Sequence, residues 1–113
     1  MKILLDECVP VQVCNALPEH VVHSATDLSW RGLSNGELLK QAGQQGFNLV
    51  VVADKNMRYQ QDLSRHNIAV LELWTNHSPT LERYSQYISA AIDRMVPGQY
   101  LESTAPFSLP HST

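Results

Sequence analysis

The chain has 113 residues, 43% of them hydrophobic and 17% charged, with a formal net charge of −3. That length supports one domain with its own core and excludes two, and the composition is that of a folded globular chain. The acidic balance argues against a general nucleic-acid binder, because phosphate neutralisation supplies most of such a protein's affinity.

No uninterrupted apolar span approaches the roughly 18 residues that a transmembrane helix needs, so no membrane partner is expected. The N-terminus carries Lys2 and then Asp6 and Glu7, which is no signal peptide. The expectation is a cytoplasmic protein.

In chain order, residues 1–5 read as a first strand that runs straight into Asp6-Glu7. Pro10 suits the first turn of a helix, and Val11, Val13, Cys14 and Leu17 give a short helical pattern stopped by Pro18. His20 to Ser24 reads as a second strand, and Asp27 to Leu33 as a connection. Ser34-Asn35-Gly36-Glu37 matches a capping box that opens a helix, with Leu38, Leu39 and Ala42 as its apolar stripe and Gly46 as its end. Residues 48–53 hold three consecutive valines, a buried strand that stops at Asp54-Lys55-Asn56. Met57 to Arg65 reads as a short polar helix capped by Asn56. Ile68 to Leu73 is a further strand. Ser78 and Pro79 are expected to cap and start one long helix, in which Leu81, Tyr84, Tyr87, Ile88, Ala91, Ile92 and Met95 share a face. Pro97-Gly98 breaks it, and Gln99 to Glu102 makes a short last strand. Residues 103–113, rich in Pro, Ser and Thr, read as a flexible tail on a domain spanning 1–102.

Strands alternating with helices predict an α/β fold of three layers, α/β/α, with a mainly parallel sheet of four to five strands and right-handed crossovers. Cys8 and Cys14 match neither a redox pair nor a zinc spacing and read as reduced thiols. His20 and His23 bracket two valines in a strand and so point to opposite faces. No nucleophile–base pair for a serine hydrolase is legible.

Three acids stand where chemistry belongs. Asp6 and Asp54 end two strands that a parallel sheet can set side by side, and Glu37 starts a helix at the same edge. Open α/β sheets bind ligands at the carboxyl ends of their strands. Converging carboxylates repel unless a hard cation sits among them, and Mg²⁺ or Mn²⁺ prefers oxygen ligands. Such an ion activates water for phosphodiester hydrolysis and offsets charge on the scissile phosphate. Each acid also has a plain structural alternative: a turn or helix cap for Asp6 and Asp54, the capping box for Glu37. Asn56 can bind metal through its amide oxygen or cap the next helix. Lys55, Arg31 and Arg58 can hold a nucleic-acid backbone, and Tyr59 can stack on a base. Trp74, followed by Tyr84 and Tyr87, suggests a homodimer or partner surface.

The stretches Met1-Lys2-Ile3-Leu4-Leu5-Asp6-Glu7-Cys8, Gly32-Leu33-Ser34-Asn35-Gly36-Glu37-Leu38-Leu39 and Val52-Ala53-Asp54-Lys55-Asn56 resemble a small PIN-like family of bacterial proteins. Tyr59-Gln60-Gln61-Asp62-Leu63 and Ile68-Ala69-Val70-Leu71 follow the same order, so the resemblance covers about residues 1–100. It implies a metal-dependent endoribonuclease, the toxin component of a toxin–antitoxin pair, with RNA as substrate and an antitoxin as partner. It places Asp6, Glu37 and Asp54 in the acidic, catalytic cluster that binds Mg²⁺ or Mn²⁺, with Asn56 where a related chain carries aspartate. The alternative is a non-catalytic PIN-like interaction module with a degenerate metal site. Strand-end aspartates also suit a phosphate receiver, but no Gly-rich phosphate loop is present, and the elements after Asp54 fit that order poorly.

Overall fold

The structure, a computed structural model, describes residues 1–53 and 67–103. Asp54, Lys55, Asn56, Arg58, Tyr59, the helix read at 57–65 and the tail past Ser103 lie outside the described residues.

Among the described residues five strands form one sheet: β1 (Lys2–Leu5), β2 (Val21–Ser24), β3 (Leu49–Val52), β4 (Ala69–Glu72) and β5 (Tyr100–Glu102). Their order is β2-β1-β3-β4-β5, and every pairing is parallel. Parallel sheets need both faces covered, which is why β3 and β4 are buried at all four positions.

The register sorts the apolar residues by face. Ile3, Leu49 and Ala69 lie in one row, as do Leu5, Val51 and Leu71. Both rows pack on Val13, Leu17, Leu81, Ile88 and Ile92. The intervening row of Leu4, Val50 and Val70 packs on Leu38, Leu39, Ala42 and Phe47. Alternation along each strand thus builds two cores, one per face.

One face is covered by α1 (Asn35–Gln44). The other carries a 3₁₀ helix (Val11–Ala16), α2 (Ser78–Arg83) and α3 (Ser85–Asp93). This is the three-layer α/β/α arrangement. The connections β1→β2 and β4→β5 cover the same face but step in opposite directions along the sheet, so they have opposite hands. Uniform right-handedness therefore does not hold. The β4→β5 connection is long and consists of two short helices, which loosens the coupling between strand twist and crossover hand.

Three local expectations need correction. The segment after Pro10 is a 3₁₀ helix with Pro10 at its N-cap, and Val11 and Cys14 face solvent. Val13 and Ala16 are the residues it turns to the core, three apart, as the 3₁₀ period requires. The single helix expected from Ser78 is two, broken at Tyr84 (φ −106°, ψ 27°). Trp74 sits against the break, with ring centroids 6.0 Å from Tyr84 and 5.9 Å from Tyr87, both edge-on. The cap also shifts by one residue. His77 is the N-cap of α2, Pro79 lies within its first two positions, and the His77 ring contacts Thr80 Oγ1 at 2.9 Å.

Other local features agree with the sequence reading. Gly46 adopts φ +81° just past α1, Gly46 N–H donates to the Gly43 carbonyl at 3.2 Å, and Phe47 N–H donates to the Ala42 carbonyl at 2.9 Å. This is a Schellman ending, which needs the left-handed conformation that glycine takes freely. Cys8 and Cys14 form no disulfide with each other. His20 and His23 do part company: His20 Nε2 lies 3.4 Å from Asp93 of α3, whereas His23 meets Phe47 beneath α1. Ser103, the residue at which the expected tail begins, differs: it is buried and extends the β5 pairing, its N–H donating to the Glu72 carbonyl at 2.9 Å. Among the described residues no helix is long and apolar enough to cross a membrane.

Candidate functional site

In this strand order the direction of stepping reverses between β1 and β3: β1 leads to the left-hand neighbour β2, and β3 leads away to β4. Ligands of open α/β sheets bind outside the carboxyl ends of the strands at such a reversal. Asp6 stands there. Its N–H donates to the Val51 carbonyl at 2.9 Å, which carries the β1–β3 pairing one residue past Leu5. Its carbonyl accepts from Val9 N–H at 2.9 Å, closing the turn that leads toward Pro10. The residue is 8% exposed, and Oδ2 accepts a hydrogen bond from the Cys8 thiol at 3.3 Å. Asp6 therefore does not cap the following helix, whose N-cap is Pro10.

Glu7 follows Asp6 and serves a different partner. Its Oε1 accepts from Gly32 N–H at 2.9 Å, and its Oε2 lies 4.0 Å from Arg31 Nε. The turn after β1 is thus tied to the loop between β2 and α1. Ser24, buried at the end of β2, opens that loop by accepting from Asp27 N–H at 3.0 Å.

Glu37 is at the N-terminal end of α1, the end reached from the carboxyl edge of β2 through this loop. The capping box is complete. Ser34 Oγ accepts from Glu37 N–H at 3.3 Å, while Glu37 Oε1 accepts from Ser34 N–H at 3.2 Å and from Ser34 Oγ at 2.8 Å. These bonds, the side-chain one first and the backbone one second, hold the Glu37 carboxyl below the ordinary carboxylate range. Both bonds fall on Oε1, which leaves Oε2 for another task.

The helix start is testable by itself. Ser34→Ala is expected to lower stability by about 1 kcal/mol at neutral pH, as for other lost N-caps, read from urea unfolding. A folded-state pKa lower than the unfolded one gives stability that is present above the unfolded value, near 4.3, and lost as pH falls through the folded value. Wild type should therefore lose stability below about pH 4.3 more steeply than Ser34→Ala does.

Glu72 went unnoticed in the sequence. It ends β4, pairs with Val52 of β3, and is only 4% exposed. The Tyr100 hydroxyl donates a hydrogen bond to its Oε1, and the Ser103 hydroxyl donates to its carbonyl at 2.7 Å. The signal was available: Glu72 interrupts an apolar strand at its carboxyl end, as Asp6 follows β1.

Comparison with protein-family models, with curated proteins and with solved structures finds no match for this chain. Among the described residues, no three His, Cys, Asp or Glu side chains converge as a metal-holding group. Asp6 and Glu37 are the members of the expected set within the described residues; Asp54 and Asn56 are outside them. What the described part contributes is a nearly buried carboxylate at the strand-order reversal, a second carboxylate with one oxygen unengaged, and Arg31 on the adjoining loop.

Proposed function

We propose that this chain is a metal-dependent endoribonuclease, the toxin component of a toxin–antitoxin pair. The observation that carries this reading is that the two strands flanking the reversal, β1 and β3, are the two whose sequences lead into aspartates, Asp6 next after β1 and Asp54 two residues after β3. Neighbouring strands of a sheet run about 4.8 Å apart, so acids that follow two adjacent strands would be the natural donors for one shared ion. The donor chemistry fits Mg²⁺ or Mn²⁺: the side chains are hard oxygen donors, and Asp6 is nearly desolvated. Asp6, Glu37, Asp54 and Asn56 would hold the ion. When bound, it supplies an activated water and offsets charge on the scissile phosphate.

The remaining work belongs to side chains around that edge. Arg31, Lys55 and Arg58 orient the RNA backbone, and Tyr59 stacks on a base. With a net charge of −3, RNA affinity is local to this edge rather than spread over the surface. The half-buried Trp74, Tyr84 and Tyr87 are the surface on which an antitoxin or a second copy would dock. The proposed location is the cytoplasm.

The test is cleavage of an oligoribonucleotide with Mg²⁺ or Mn²⁺ by wild type and by Asp54→Asn. The variant is expected to lose activity by orders of magnitude; equal rates would end the assignment.

One observation favours a second reading, a non-catalytic PIN-like interaction module. Glu37 already has a structural occupation, since its Oε1 completes the capping box. Calorimetric titration with Mn²⁺ separates the two readings. Saturable binding that disappears in Asp6→Ala supports the enzyme, and no binding by wild type supports the module.

A further inference from the structure

We propose that Glu7 is a positioning residue that presents Arg31 to the phosphate backbone of single-stranded RNA. The inference rests on the ribonuclease reading of the same edge and adds how the substrate strand is held there. One carboxylate does two things: Oε1 accepts from Gly32 N–H at 2.9 Å, and Oε2 faces Arg31 Nε at 4.0 Å. Glu7 immediately follows Asp6, so the loop is fastened to the turn that carries the proposed metal-binding acid.

The loop geometry depends on this fastening. Gly32 has φ +81°, and a Cβ built there meets nothing within 4 Å. Glycine is therefore needed for its backbone conformation and not for space. The bond from Gly32 N–H to Glu7 pins that left-handed turn, with Arg31 next to it.

Arg31 is also available. Its side chain is 70% exposed and that of Glu7 39%. An exposed pair at that separation is weak, whereas guanidinium and phosphate form charge-assisted, often bidentate bonds. Arg31 therefore exchanges Glu7 for phosphate readily. Among the described residues of the loops leaving β1, β2 and β4, no other Lys or Arg is present. Within the described part of this edge, Arg31 is the cation that sets where the strand runs.

The experiment uses a fluorescein-labelled single-stranded oligoribonucleotide in EDTA, with salt varied from about 50 to about 200 mM, against four full-length proteins. Arg31→Ala should weaken binding and reduce the slope of log affinity against log salt by about 0.7, one phosphate contact on a single strand. Glu7→Ala should reproduce that loss and speed amide exchange at Gly32 by NMR. Glu7→Gln still offers Gly32 an oxygen acceptor, so it should keep the wild-type slope and slow exchange. An unchanged slope in Arg31→Ala, wild-type Gly32 exchange in Glu7→Ala, or no RNA binding by wild type overturns the proposal. Wild type that binds RNA with these slopes but fails to cleave it with Mn²⁺ brings down the ribonuclease reading and leaves the role of Glu7 standing.

Discussion

Asp6→Asn is expected to reduce RNA cleavage about a thousandfold and to leave the fold in place. The substitution is nearly isosteric, and its amide oxygen can still accept from the Cys8 thiol that now donates to Oδ2 at 3.3 Å. The backbone bonds that hold the position, to the Val51 carbonyl and from Val9 N–H, do not involve the side chain. What is lost is one negative charge at a site only 8% exposed. A thousandfold corresponds to about 4 kcal/mol, the scale on which a divalent ion stabilises charge in phosphoryl chemistry. Single-turnover cleavage with Mn²⁺ gives the rate, and thermal melting by circular dichroism confirms folding. A folded Asp6→Asn protein that cleaves within twofold of wild type removes Asp6 from the chemistry.

Leu71→Ala should have the largest effect on stability. Leu71 is fully buried in β4, between Val51 of β3 and Leu101 of β5, in the core shared with α2 and α3. Emptying such a position costs the lost transfer energy plus a cavity, about 3 kcal/mol for a leucine between packed elements. Against a total of about 5–15 kcal/mol this is a large fraction. For a domain of this size it lowers the melting temperature by about 12 °C. Val21 is the contrast: it is 59% exposed on the edge strand β2, and Val21→Ala should change stability by less than about 0.5 kcal/mol. Urea unfolding of the two variants checks the ordering. A Leu71→Ala midpoint equal to that of Val21→Ala contradicts the two-core description.

Much of this fold was legible because its signals are local. The valine run of β3 suits a strand covered on both faces, and all four residues of that strand are buried. Ser34 and Glu37 announce the start of α1 by spacing alone, and both hydrogen bonds of the box are present. Gly46 closes the same helix through a conformation that its residue type favours. The strand-end position of Asp6 followed from the abrupt change from Leu5 to acid.

What escaped depends on contacts between distant residues. The apolar positions from Leu81 to Met95 keep helical spacing straight through Tyr84, with neither glycine nor proline to mark a break. The ring of Trp74, at the end of another element, coincides with that break, and no pattern within the helix reports it. Glu72 was passed over because a lone acid in an apolar strand carries no partner with it; Tyr100 and Ser103 come from β5 and the residue after it. Glu7 carries no local signal of its own: the strand has ended at Leu5, and its partner Gly32 lies in a distant loop.

The parallel sheet also governs how the chain acquires its structure. β1 lies between β2 and β3, so its second partner is not available until the chain has passed Val52. Every pairing must close a long loop before any bond rewards it, which slows the search for the native state. During that interval Leu49–Val52, an uncharged β-branched segment with no proline, is open to other chains. Yield from refolding should therefore fall with protein concentration faster than activity or equilibrium stability suggests, and the remedy is dilution rather than a stronger core.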